Sequence, residues 1–173
     1  MARTPSSMKP LGSPLPDFSL PDVVTGKPVS QKTAAGPNGL LVMFICRHCP
    51  FVKHVQDELA RLGRDYAGRG VGIVAISAND ESGFPDDRPE KLAEMSKELG
   101  FAFPYLFDQA QGVARAFDAQ CTPDFFLYGR DGRLDAPLEA HGVGPGGHVL
   151  HPVAHDGLGQ HGGGGGAVAG DVV

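Results

Sequence analysis

The sequence predicts an α/β fold, a central sheet with helices packed on it, and three stretches carry that prediction. Leu40-Leu41-Val42-Met43-Phe44-Ile45 is apolar at every position, as a strand covered on both faces must be. Val52, Val55, Leu59, Leu62 and Tyr66 then recur at steps of 3, 4, 3 and 4, which draws one apolar stripe along a helix. Val71-Gly72-Ile73-Val74-Ala75-Ile76-Ser77 is a second apolar run. Strand, helix and strand in that order form a βαβ unit, so the two strands are expected to be parallel.

The remaining elements follow along the chain. Residues 1–11 are expected to be a flexible leader, part of a Pro-, Ser- and Gly-rich stretch reaching about residue 16. Asp17-Phe18-Ser19-Leu20 and Pro28-Val29-Ser30 flank Thr25-Gly26-Lys27, the pattern of a short hairpin. Pro50 suits the first turn of the helix, where its missing N–H is harmless. Gly68 and Gly70 can end that helix, and Arg61, Arg64 and Arg69 complement its C-terminal dipole. In the polar loop that follows, Asp80, Asp86 and Asp87 read as loop and helix-start residues. Pro89 should open a helix with Leu92, Met95 and Leu99 inward and Gly100 closing it. Phe103–Phe107 is a short apolar segment, Gln109–Phe117 a further helix, and Asp124–Tyr128 a strand ended by the turn pair Asp131-Gly132.

Composition narrows the function. The 173 residues are 41% hydrophobic and 20% charged, ordinary for one globular domain. A net charge of −5 argues against nucleic-acid or anionic-membrane partners. No stretch approaches the roughly 20 apolar residues that span a bilayer. The N-terminus lacks the apolar core of a secretory signal, so a cytoplasmic location is expected. Three cysteines do not make a disulfide scaffold. In a reducing compartment a C-x-x-C pair points to catalysis or metal binding.

That pair is Cys46-Arg47-His48-Cys49, placed where the first buried strand hands over to a helix. Two cysteines so spaced can close a disulfide on themselves, and a helix N-terminus favours the thiolate, the attacking species in disulfide exchange. Arg47 and His48, with Lys53 and His54 one turn on, add positive charge, so Cys46 is expected to ionise below about 8.5. Cys46 is the candidate nucleophile and Cys49 the resolving thiol.

Pro16-Asp17-Phe18-Ser19-Leu20, the strand ending in Cys46-Arg47-His48-Cys49-Pro50, and Cys121-Thr122-Pro123-Asp124-Phe125-Phe126-Leu127 together resemble the AhpC/TSA-like (redoxin) branch of the thioredoxin superfamily. The likeness covers roughly residues 12–133. It implies a thioredoxin-like three-layer sandwich, a central mixed sheet flanked by helices. It also implies a thiol–disulfide oxidoreductase that needs no cofactor and exchanges with disulfide or dithiol partners and a reducing system; it leaves the oligomeric state open. Thr122-Pro123 looks like the cis-proline loop of that superfamily, which lies opposite the dithiol and binds extended substrate. A His before the second cysteine resembles the more oxidising members of the superfamily.

The chain departs from that pattern in two places. Ile45 stands where thioredoxins carry Trp. From Leu134 onward there are twelve glycines, five histidines, no aromatic and no lysine, in place of the edge strand and C-terminal helix of the family. Residues 134–173 are therefore expected to be a disordered Gly/His-rich tail, leaving part of one sheet face without its cover. His141, His148, His151, His155 and His161 lack the spacing of a metal site, and no metal is expected. Two alternatives come with the resemblance. A peroxidase would need the signature Pro-x-x-x-Thr-x-x-Cys, but Gly39 and Met43 stand at those positions before Cys46, and Val42 and Cys46 before Cys49. A copper carrier on the same fold would use two thiolates and a distant His. Cys121 could serve as a second resolving thiol, but a small buried hydrophobe is the simpler expectation.

Overall fold

Val42, Met43, Phe44 and Ile45 are completely buried, so the strand that carries them runs through the middle of the molecule. The computed structural model describes residues 9–143 and 147–152. In chain order it contains β1 (Ser19–Pro21), β2 (Pro28–Ser30), α1 (Gln31–Ala34), β3 (Gly39–Phe44), α2 (Pro50–Tyr66) and β4 (Val71–Ser77). A 3-10 turn (Pro85–Asp87), α3 (Pro89–Leu99), β5 (Tyr105–Phe107), α4 (Gly112–Phe117), β6 (Asp124–Tyr128), β7 (Leu134–Val143) and β8 (Gly147–Pro152) follow.

One six-stranded mixed sheet has the order β5-β4-β3-β6-β7-β8, and β1 pairs with β2 in a separate hairpin. The βαβ expectation holds: β3 and β4 are parallel in register from Gly39 opposite Val71 to Phe44 opposite Ile76. β6 runs antiparallel on the other side of β3, with Val42 opposite Phe126. Gly72 lets β4 pass close to α1, since a Cβ there would meet the Ala34 carbonyl oxygen at 1.9 Å.

Alternation along β3 sends its side chains to two cores. Leu41, Met43 and Ile45 pack with Val52, Val55 and Leu59 of α2 and Leu92 and Met95 of α3. Leu40, Val42 and Phe44 pack on the opposite face with Phe18, Ala114, Phe117, Phe126 and Tyr128. The stripe on α2 is buried through Leu59, while Tyr66, its last residue, is exposed and takes the Arg69 guanidinium over its ring at 5.4 Å. Helix α3 ends as expected, with Gly100 left-handed at φ 64°.

Helix α4 starts three residues later than the expected Gln109. Asp108 is buried and its carboxylate accepts the backbone N–H groups of Gly112, Val113 and Ala114 at 3.1, 2.8 and 2.9 Å. Gln111 is left-handed at φ 56°, so no continuous helix can run through it. The aspartate caps the helix from a distance and sets its first turn.

The C-terminal region requires a correction. An edge strand was expected to be missing, yet β7 pairs antiparallel with β6, Leu138 opposite Phe125, and β8 pairs antiparallel with β7. The physical signal was a period of two: Leu134, Ala136, Leu138 and Ala140 alternate with Asp135, Pro137, Glu139 and His141. No helix follows α4 among the described residues. One sheet face is covered by α4, whose Phe117 ring stands 5.4 Å from Phe44, 5.5 Å from Phe126 and 5.9 Å from Tyr128. Residues 12–15 are also tied down, through Gly12 N–H to Leu134 O at 2.8 Å and Leu15 N–H to Gly132 O at 2.8 Å. Leader residues 1–8, and residues 153–173 with His155, His161 and the run Gly162–Gly166, lie outside the described residues. No helix of the described residues is long and apolar enough to cross a membrane.

Candidate functional site

Strand β3 ends at Phe44, and the chain reaches the first residue of α2, Pro50, through Ile45-Cys46-Arg47-His48-Cys49. Proline fixes the first helical turn, so Cys49 is the N-cap and its sulfur sits at the positive end of a 17-residue helix. The loop before β6 meets it from the other side. Cys46 Sγ lies 3.1 Å from Thr122 Oγ1, and Cys49 Sγ lies 3.3 Å from the Thr122 carbonyl oxygen. The Thr122-Pro123 peptide bond is cis, as the resemblance implies. Cys46, Cys49 and Thr122 are all buried, and all three cysteines of the chain are thiols. Pro123 beside them is half-buried.

A buried carboxylate holds the loop between the two cysteines. Asp87 is completely inaccessible. Its Oδ1 accepts the backbone N–H groups of Arg47 and His48 at 2.7 and 3.1 Å. Its Oδ2 meets His48 Nδ1 at 2.5 Å and Asn79 Nδ2 at 2.6 Å. The His48 ring stacks on Phe84 at 4.1 Å. Arg47 points away from the sulfurs, donating from Nη1 to the Lys91 carbonyl at 2.6 Å and to Glu94 at 3.3 Å. Sequence reasoning read Asp87 as a loop residue. Among three aspartates in that loop, nothing in the spacing marks the buried one.

The two sulfurs share a hydrogen bond, so they titrate as a pair. That bond is the largest influence on each: it raises Cys46 and lowers Cys49, the latter to about 5. Burial raises Cys46 further and the Asp87 charge adds to the rise, while the Thr122 hydroxyl opposes it. The backbone N–H groups of Val52 and Phe51 help to lower Cys49, without closing a full capping hydrogen bond. Cys46 is thus raised where the sequence led to the expectation of a depressed value, and Cys49 is the sulfur that is lowered. Of the cations invoked for Cys46, Arg47 is spent on α3, and the His48 ring, with a nitrogen within 4.8 Å of Cys46 Sγ, is held against Asp87. Lys53 and His54 lie on the exposed side of α2.

The AhpC/TSA family matches residues 11–136 of this chain, a span that contains the whole dithiol site. The chain belongs to the AhpC/TSA family. Among solved structures it is similar to an uncharacterized conserved protein from Geobacillus kaustophilus, with 40% identity over 93% of this chain and 80% of that one and a TM-score of 0.80. A hypothetical protein from Sinorhizobium meliloti is 41% identical over 82% of this chain and 76% of that one, with a TM-score of 0.77. A thiol:disulfide interchange protein of the thioredoxin family from Chlorobium tepidum shares the fold, with 20% identity over 84% of this chain and 90% of that one and a TM-score of 0.60. No curated protein matches.

Gly39 and Met43, at the positions of the peroxidase Pro and Thr, are buried core residues of β3. Cys121 is buried in the loop beside Thr122. His141 lies on β7 and His148 and His151 on β8. One donor atom each from Cys46, His48 and Asp87 falls within 4.8 Å of the other two. Both Asp87 oxygens, however, already accept two hydrogen bonds each, and an ion there would have to break those to His48 and Asn79. The arrangement suits a proton better than a metal.

Proposed function

We propose that this protein is a thiol–disulfide oxidoreductase whose working groups are Cys46 and Cys49, exchanging with protein or small-molecule disulfides and with a cellular reducing system. The observation that carries the proposal is the convergence of both sulfurs on Thr122 at the N-terminus of α2. Thr122 and Pro123 are the proposed substrate-binding residues, and a cytoplasmic setting is part of the proposal.

As the first cysteine of the C-x-x-C pair, placed against the Thr122 hydroxyl, Cys46 attacks the substrate disulfide once it has lost its proton. Its sulfur joins one substrate sulfur, the substrate S–S bond breaks, and the other half leaves as a thiolate. Cys49, already anionic near neutrality, then attacks Cys46, closes the Cys46–Cys49 disulfide and releases the second substrate thiolate. Two electrons pass to the substrate, which ends as two thiols.

The test follows reduction of a disulfide-bonded protein and of hydroxyethyl disulfide by the reduced wild type, Cys46→Ser and Cys49→Ser. The wild type should turn over both and end with one internal disulfide, and each serine variant should lose turnover. Turnover that survives Cys46→Ser contradicts the proposal.

A further inference from the structure

Asp87 and His48 form a unit that the exchange reaction, as written, leaves unused. We propose that this pair carries the proton that exchange moves from Cys46 to the leaving thiolate of the substrate, with His48 the proton acceptor and donor and Asp87 its positioning residue. The inference rests on the exchange function proposed above.

Three features support it. First, Cys46 Sγ, a ring nitrogen of His48 and a carboxylate oxygen of Asp87 lie within 4.8 Å of one another, within reach of a small shift or one bridging water. Second, the ring is locked. Asp87 Oδ2 and Asn79 Nδ2 meet Nδ1 at 2.5 and 3.2 Å, and Phe84 stacks on one face. With Nδ1 fixed in this way, Nε2 is the other site for a proton. Third, the pair spans the boundary: the Asp87 side chain is inaccessible while that of His48 is 26% exposed, so a proton can pass between the buried sulfur and an incoming substrate. The other titratable groups nearby are engaged elsewhere. Tyr105 donates its hydroxyl to the Ile45 carbonyl at 3.1 Å. Arg47 and Lys91 both pair with Glu94 of α3, and the Cys49 thiol is hydrogen-bonded to Cys46.

The step balances. The proton leaves Cys46 Sγ for His48, and the Cys46 thiolate forms the mixed disulfide as the substrate S–S bond breaks. The electron pair of that bond stays on the leaving sulfur, which takes the proton back from His48. His48 is thus regenerated, and no further reactant is needed.

A relay to the leaving group matters for a basic alkyl thiolate and little for an aromatic one, which leaves unprotonated. The experiment compares reduced wild type, Asp87→Asn and His48→Gln with two probes, hydroxyethyl disulfide and dithiobis(nitrobenzoate). Asn at position 87 keeps an acceptor for the Arg47 and His48 amides, and His48→Gln changes a partly exposed side chain should the first variant fold poorly. The proposal expects each variant to reduce the aliphatic probe slower by roughly tenfold or more, and the aromatic probe slower by less than about threefold. Equal slowing with both probes, or no slowing with either, overturns the relay while leaving the exchange function standing. A wild type inert towards both probes overturns the function and the relay together.

Discussion

Cys46 Sγ lies 3.1 Å from the hydroxyl of Thr122, although 76 positions separate the two residues in the chain. That contact is the one influence of a neighbouring side chain that lowers Cys46. Removing the hydroxyl in Thr122→Val should raise Cys46 further. A lost hydrogen bond of about 1 kcal/mol corresponds to alkylation of Cys46 slowed roughly fivefold, with Thr122→Ser close to wild type. Iodoacetamide kinetics resolved by peptide mass check this, and an unchanged rate for Thr122→Val would mean that the hydroxyl does not touch the ionising sulfur.

The pair should titrate in two widely separated steps. Thiolate absorbance of the reduced protein is expected to show one ionisation near the value of about 5 at Cys49 and no second step at neutral pH. The sign for stability follows from linkage. Cys49 is depressed from its ordinary value of 9.0, so its contribution is present above 9.0 and is lost as pH falls through about 5. Cys46 is raised from 9.0, so its contribution is present below 9.0 and is lost as pH climbs beyond it. Denaturant melts of the reduced protein should therefore strengthen from pH 5 towards pH 9 relative to Cys49→Ala, and weaken above it relative to Cys46→Ala. Flat differences across that window would contradict the assignment.

Which sulfur meets the substrate is open to direct trapping. With Cys49→Ser, the mixed disulfide cannot be resolved and should accumulate on Cys46 when the variant is mixed with a disulfide-bonded protein. Cys46→Ser should accumulate none on Cys49. Mass analysis of the adduct decides, and the reverse pattern would exchange the two roles.

Where sequence reasoning succeeded, one residue type had one physical consequence. An unbroken apolar run had to be the central strand, a 3-and-4 spacing had to be helix, and Pro50 had to be its first turn. The candidate residues Cys46, Cys49 and Thr122 could be proposed for the same reason, since each sits at the end of an element whose type was already plain. Failures came where the outcome depended on distant partners. Asp87 acts through backbone amides 40 and 39 positions away, and no local pattern encodes that. The pKa order of the cysteines follows first from the hydrogen bond between the two sulfurs, with burial and the Asp87 charge adding to the rise at Cys46, and none of these is written in the local sequence. In β7 the alternation of Leu134, Ala136 and Leu138 was present but was outweighed by the glycine-rich composition around it.

Asp108 supplies a test of the fold itself. It is buried and accepts three amides at the start of α4, the helix that carries Phe117 over the sheet. Asp108→Ala removes the cap and leaves buried N–H groups without their acceptor, a loss of about 2 kcal/mol. Urea denaturation should show a lower midpoint with an unchanged slope. A midpoint equal to wild type would mean that α4 does not depend on this aspartate.

The central claim is that Cys46 and Cys49 form one reversible redox couple. Equilibration of the protein in thiol–disulfide buffers of graded potential, followed by alkylation and peptide mass mapping, measures it directly. The account predicts a single two-electron transition lying between about −270 and −120 mV, with the Cys46–Cys49 disulfide as its product and Cys121 a thiol throughout. Cysteines 46 and 49 that stay reduced across that range, or a disulfide that instead joins either of them to Cys121, would contradict it.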